Sequence, residues 1–201
     1  FPTFRDKGYL FSKVIGIACI SYIVFLLNTL HIFKFTGLTM WLVIWIVFII
    51  NAVIFKRFKE KIHIKEYLSL FLLEEALFLI GIALWSYVRA HEPSIHGLEK
   101  YMDFGFVNSV LRTEYLPARD MWFTPFSINY YFFGHLTTAV LTKLSNLPSS
   151  ITYNLMIATL FAFCFTGGFS LVFNFLSDRG IKKAFIGGFL GGALISLSGN
   201  L

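Results

Sequence analysis

Residues 14–33, 38–55, 151–176 and 184–201 contain no Asp, Glu, Lys or Arg. About 20 apolar residues in a helix cross a bilayer, so each run is long enough, or nearly long enough, to span. Residues 67–88 form a fifth run, interrupted by Glu74 and Glu75. Five runs of this kind leave little choice of fold. The backbone must satisfy its own hydrogen bonds in lipid, and successive helices do so. The expected class is therefore an all-α integral membrane protein of about five transmembrane helices. Composition agrees. Hydrophobic residues make up 57% of the chain and charged residues 14%, against about 45–50% and about 25% in soluble domains.

The net charge of +6 does not argue for nucleic acid. Membrane proteins gather Lys and Arg on one side for topological reasons. Cys19 and Cys164 lie in apolar runs without metal-ligand spacing and read as packing residues. The chain is expected to be the N-terminal fragment of a longer protein, with residues 1–201 as one transmembrane domain. The remainder of that protein and the lipid bilayer are its expected partners.

Residues 89–129 form the one long polar segment, with five acidic and four basic side chains. A first amphipathic helix is expected from about 103 to 115, ended by Pro117. A second is expected at 130–147. There His135, Thr138, Thr142 and Ser145 make a polar stripe, and Leu136, Val140, Leu144 and Leu147 an apolar one. Its placement decides the topology. If it lies on the outer surface, the 17 Lys and Arg divide eleven to six, with the eleven on the side of Lys56 and Lys65. If it crosses the membrane, they divide nine to eight. The positive-inside rule selects the first arrangement, with 130–147 interfacial and 89–129 extracytoplasmic.

Candidate chemistry concentrates in this segment. Asp103 can take or orient the proton of an acceptor; as a plain structural residue it would cap a helix N-terminus. Glu99 and Asp103 share a helical face only if the helix starts before Glu99. Such a pair fits a divalent cation such as Mg²⁺ or Mn²⁺, or else a solvated pair answered by Lys100. Asp120 reads as a second carboxylate of a site or as a turn residue. Arg112 and Arg119 suit a phosphate, whereas Arg89 reads as a membrane anchor. His135 can contact a phosphate or metal, or simply lie on a surface. Tyr130 and Tyr131 offer rings for sugar stacking or for an interfacial belt. Glu74 and Glu75 lie about 100° apart on a helix and should face different partners.

Three strings carry a resemblance: Glu99-Lys100-Tyr101-Met102-Asp103-Phe104, Arg119-Asp120-Met121-Trp122-Phe123 and Ile128-Asn129-Tyr130-Tyr131-Phe132-Phe133-Gly134-His135. With Arg5-Asp6-Lys7-Gly8-Tyr9 and the stretch 147–155, the chain resembles an uncharacterised family of large bacterial and archaeal membrane proteins. That family is named after its Tyr-Tyr-Tyr motif. Phe132 replaces the third Tyr, and Tyr101 stands where the family tends to have Pro. The family is in turn similar to GT-C glycosyltransferases, which take sugars from polyprenyl-phosphate carriers on the outer face of the membrane. The resemblance implies a GT-C-like fold with juxtamembrane helices in one outer loop, in the plasma membrane of a prokaryote. It implies a sugar-lipid partner, and Asp103 and Asp120 as the acidic positions. The rival expectation is a non-enzymatic transporter or structural subunit, and a transporter should show polar groups near mid-membrane.

Overall fold

The computed structural model describes residues 4–57, 64–97 and 99–198. Seven α-helices follow in order: α1 Tyr9–Thr29, α2 Gly37–Arg57, α3 Ile64–His91, α4 Lys100–Arg112, α5 Phe133–Ser145, α6 Ser149–Leu176 and α7 Ile181–Leu197. Among the described residues the only β pairing is an isolated bridge between Arg119 and Ser127. Four helices, α1, α2, α3 and α6, are long and apolar enough to cross a membrane. The fifth expected span corresponds to α7, which has 17 described residues. Large apolar side chains point outward along the four: Trp45 is 58% exposed, Leu72 61% and Phe175 78%. In water such surfaces would aggregate; in a bilayer they face lipid. Cys19 and Cys164 are exposed on these helices, so the packing role expected for them is corrected.

The chain divides into two compact units. One comprises Phe1–Ile15, Lys61–Pro93 and Asn154–Leu201. In it α3 and α6 run antiparallel. Arg89 donates to Asn154 Oδ1 at 2.6 and 3.0 Å, Trp85 stacks on Phe161 at 4.3 Å, and Leu77 clusters with Phe169 and Phe173 near the other end. The Gly81 Cα faces Ala162 so closely that an added Cβ would lie 3.1 Å from the alanine methyl. Glu74 and Glu75 diverge as their spacing requires. Glu75 pairs with Lys13 and accepts from the Tyr9 hydroxyl at 2.9 Å. Glu74 is fully buried, and neither of its oxygens has a hydrogen-bond partner.

The other unit comprises Gly16–Glu60 and Ser94–Tyr153. Val24, Met40, Phe106, Val110, Leu136 and Val140 form its apolar centre. One polar residue organises it. Asn28, 0% exposed, donates from Nδ2 to the carbonyls of Phe33 and Glu114, each at 3.0 Å, and accepts from the Leu116 N–H at 2.6 Å. Phe35 N–H adds a bond to the Glu114 carbonyl at 2.8 Å. These bonds draw residues 113–116 out of helical geometry and onto the end of α1. They explain why α4 stops at Arg112 rather than continuing to 115. Replacing Asn28 with Leu strands the Phe33 carbonyl and the Leu116 N–H and takes one of two donors from the Glu114 carbonyl. At about 1–3 kcal/mol for each buried group left unsatisfied, the variant is expected to lose about 3 kcal/mol or more. Thermal unfolding in detergent beside an Asn51→Leu control checks this, because Asn51 is exposed and its side chain bonds only its own helix, at Val47.

Candidate functional site

Helix α4 begins at Lys100, with Glu99 in the N-cap position and no side-chain cap. Asp103 therefore lies inside the first turn, and its N–H bonds the Glu99 carbonyl at 2.9 Å. The capping role considered for Asp103 is corrected on this point. Its side chain is engaged elsewhere: Oδ1 lies 3.0 Å from His135 Nε2. The helix starts early enough for Glu99 and Asp103 to sit four residues apart, on one side of α4.

Helix α5 brings His135 to that carboxylate. It starts at Phe133, not at 130, and ends on Asn146, whose φ of 55° is the left-handed cap common at helix ends. Its 13 residues measure about 20 Å at 1.5 Å per residue, short of the ~30 Å hydrocarbon core. The expected polar face is overturned. Thr138 and Thr142 are only 7% and 5% exposed, buried alongside Leu136 and Val140. Threonine makes this inexpensive, because its hydroxyl can return to the carbonyl four residues back. Thr138 does so to Gly134 at 3.0 Å, and Thr142 to Thr138 at 2.8 Å. Thr142 also meets the Thr152 hydroxyl at 2.7 Å. From His135 to Thr142 the stripe is an internal seam that presents His135 at its N-terminal end, while Ser145 is exposed.

The His135 ring is wedged between Phe106, edge-on at 5.4 Å, and Tyr131, stacked at 6.1 Å. Nδ1 is buried without a partner. Nε2 is the nitrogen that meets Asp103, and it donates there because a carboxylate only accepts. The His135 side chain is 12% exposed and that of Asp103 30%, so the carboxylate is the member that meets solvent. Tyr131 hydroxyl reaches Glu99 Oε2 at a long 3.5 Å. Its hydrogen bond with Tyr130, slight burial and the charges of Glu99 and Asp103 push the Tyr131 phenol up to about 12. It keeps its proton throughout the physiological range. Tyr130 and Tyr131 are half exposed, with rings 3.9 Å apart.

Asp120 is placed differently. The chain folds back on itself there, with Asp120 N–H to Phe126 carbonyl at 2.8 Å and Ile128 N–H to Ala118 carbonyl at 3.0 Å. Asp120 Oδ1 accepts from the N–H groups of Trp122 and Phe123 at 2.8 and 3.0 Å. That is a turn-holding role. Asp120 also lines a cavity of about 760 Å³ with Arg112, Arg119, Glu114, Asn108 and Ser109. Asp103 does not line it. The two carboxylates thus serve separate places, and the cavity gathers both candidate phosphate-binding arginines. Sequence reasoning missed Gly105, which gives room to Met121: a Cβ at Gly105 would fall 1.8 Å from the Met121 sulfur. It also missed Asn28, whose signal was an amide inside an otherwise apolar run.

Among the described residues no three His, Cys, Asp or Glu side chains converge, and Asp103 Oδ1 is already taken by His135.

No curated protein and no solved structure matches the chain. Residues 19–201 match the model of a family described as "Uncharacterized membrane protein (DUF2298)". That match takes in α1 from Cys19 onward, the later spans, the Asp103–His135 pair and the arginine-lined cavity, and the chain belongs to this family of membrane proteins.

Proposed function

We propose that the protein is a GT-C-like membrane glycosyltransferase that uses a polyprenyl-phosphate-linked sugar donor at the extracytoplasmic face. The observation that carries the reading is the Asp103–His135 pair at 3.0 Å. Asp103 is the base. It is partly open to solvent and takes the proton of the acceptor hydroxyl or amide as the new glycosyl bond forms and the bond from the sugar to the carrier phosphate breaks, releasing polyprenyl phosphate. His135 is a positioning residue: its Nε2–H holds Oδ1 and leaves Oδ2 to the acceptor. Tyr131, protonated, and the Tyr130 ring border the site and can contact the sugar.

The donor phosphate belongs at Arg112 and Arg119, which line the neighbouring cavity. A charge-assisted contact contributes about 1.5–3 kcal/mol. Arg112→Gln and Arg119→Gln are each expected to weaken binding of polyprenyl phosphate by about ten- to a hundredfold. A titration of the detergent-solubilised protein with that lipid measures it. Unchanged affinity in both variants removes these residues from the site.

Topology supports the outer-loop placement. Arg89 at the end of α3 bonds Asn154 in α6, so the chain leaves and re-enters the membrane at the same side. Residues 94–153 then make no net crossing, which fits the eleven-to-six division of Lys and Arg. Single cysteines at His91 and Lys182, both exposed, in a background without Cys19 and Cys164, are expected to label from opposite sides. Labelling from one side contradicts the arrangement.

A transporter reading has one observation in its favour, the buried and unpartnered Glu74 carboxyl. Such groups within a span commonly mark ion or proton paths. Loss of sugar transfer without change in any ion flux separates the two.

A further inference from the structure

Between Asp120 and Lys143 the chain carries no Asp, Glu, Lys or Arg, and aromatic residues crowd the first half of that stretch. Three of their rings point outward: Trp122 is 65% exposed, Phe123 68% and Phe126 61%. Exposed apolar patches of this kind mark contacts with a membrane or a protein. The three share the tip of a hairpin that the transfer chemistry does not use.

The hairpin is built to hold that tip out. Its base is seated in the apolar centre of the unit, where Leu116, Ala118 and Ile128 are buried. The Ile128 N–H bonds the Ala118 carbonyl, and the Asp120 N–H bonds the Phe126 carbonyl. Asp120 Oδ1 fixes the N–H groups of Trp122 and Phe123, and the Phe126 N–H closes back on the Phe123 carbonyl at 3.0 Å. The Phe123 and Phe126 rings stack at 5.1 Å with 13° between their planes. Rings held in this way need little further ordering when something covers them. Trp122 also turns one edge inward, 6.3 Å from Phe106, the ring that meets His135.

The stem indicates what covers the tip. Phe132 lies 6.0 Å from Phe25 of α1, and Phe133 lies 6.5 Å from Tyr22. Phe25 and Tyr22 precede the end of α1 at Thr29 by about 6 and 10 Å along the helix axis. Amphipathic elements enter a bilayer to about the same depth, 5–10 Å. Tyr22 is itself exposed on α1, a helix long and apolar enough to cross a membrane. Lipid that covers Tyr22 therefore meets Phe133 as well, and the aromatic surface continues from the span. A sugar platform would pair ring faces with free hydrogen-bonding groups. The hydroxyl at the tip, that of Thr124, is instead turned back to the Asp120 carbonyl at 2.9 Å. We propose that the hairpin is a lipid-inserted wedge, with Trp122, Phe123 and Phe126 entering the membrane interface at the end of α1. Aromatic rings favour that zone, and the Trp122 indole N–H can donate to headgroup oxygens there. The wedge rests on packing and exposure, so it stands whether or not the protein transfers sugars.

Tryptophan quenching in proteoliposomes tests it. The chain has four tryptophans, so Trp41→Phe, Trp45→Phe and Trp85→Phe together leave Trp122 as the reporter. A second protein that keeps only Trp45, exposed on α2, gives the level for a lipid-facing ring. Phosphatidylcholine brominated on its acyl chains near the headgroup is expected to lower Trp122 emission about twofold or more, and aqueous iodide to change it little. Phe123→Glu combined with Phe126→Glu alters only exposed side chains. It should reverse the ranking and make iodide the stronger quencher, because charge is costly to carry into lipid. Strong iodide quenching of Trp122 beside the native phenylalanines, with no effect of brominated lipid, overturns the wedge and leaves a water-facing surface. Protection from both quenchers overturns it in favour of a protein contact over the rings. Lipid quenching that the two glutamates leave unchanged overturns it too, because the phenylalanines would then not set the depth.

Discussion

Replacing Asp103 with Asn is expected to leave the fold intact and to lower glycosyl transfer by about two orders of magnitude or more. The estimate rests on general-base catalysis, which supplies about 10²–10⁴-fold. Asn keeps the size of the side chain and can still accept from His135 Nε2 through its amide oxygen. It loses the charge and the capacity to take a proton. The effect should fall on kcat, with KM little changed, because the group acts on the acceptor proton in the transition state. His135 should behave differently. His135→Ala removes the bond at 3.0 Å and is expected to lower kcat by about tenfold or more. His135→Gln, which can still donate to Oδ1, should restore most of it. Full activity in a stable Asp103→Asn variant ends the assignment of Asp103 as the base.

Gly192→Leu is expected to be the most damaging single change to the fold. An added Cβ there would lie 2.6 Å from the Phe165 carbonyl oxygen, a backbone atom that cannot swing aside. On the facing helix, a Cβ at Gly168 would lie 3.1 Å from both the Gly191 carbonyl oxygen and the Gly192 Cα. Small residues let two membrane helices come this close, and their contacts hold the pair where lipid offers no hydrophobic drive. Overpacking against backbone should cost about 3 kcal/mol or more. Gly167→Leu is the matched control, since no atom lies within 4 Å of a Cβ built there. The expected result is loss of folded protein for Gly192→Leu and near-normal recovery for Gly167→Leu, read by size-exclusion chromatography in detergent. Equal recovery of the two contradicts the packing.

The membrane class was legible because apolar runs state it directly. Gly188, Gly191 and Gly192 sit where α7 closes on the α6 backbone. The site was only half legible. Asp103 and His135 each stood out as ionisable groups beside apolar residues, but 32 positions separate them, and no local pattern announces a pairing between two helices. Helical periodicity misled at Thr138 and Thr142. A polar stripe suggests a wet face, yet hydroxyls that bond their own helix can be buried at little cost. The end of α4 was set by Asn28, far away in sequence, rather than by Pro117. Asp120 was recognised as a turn or site residue, and its carboxylate holds the turn.

The central claim is that Asp103 sits at a centre that turns over lipid-linked sugars. The most direct measurement uses the purified protein in proteoliposomes, supplied with a panel of polyprenyl-phosphate-linked hexoses bearing a labelled sugar. Release of labelled sugar to water or to an added acceptor is followed for the wild type and for Asp103→Asn. The account predicts turnover of at least one donor by the wild type, reduced about a hundredfold or more in the variant. Turnover of equal rate in both proteins, or no turnover of any donor by folded wild-type protein, would contradict it.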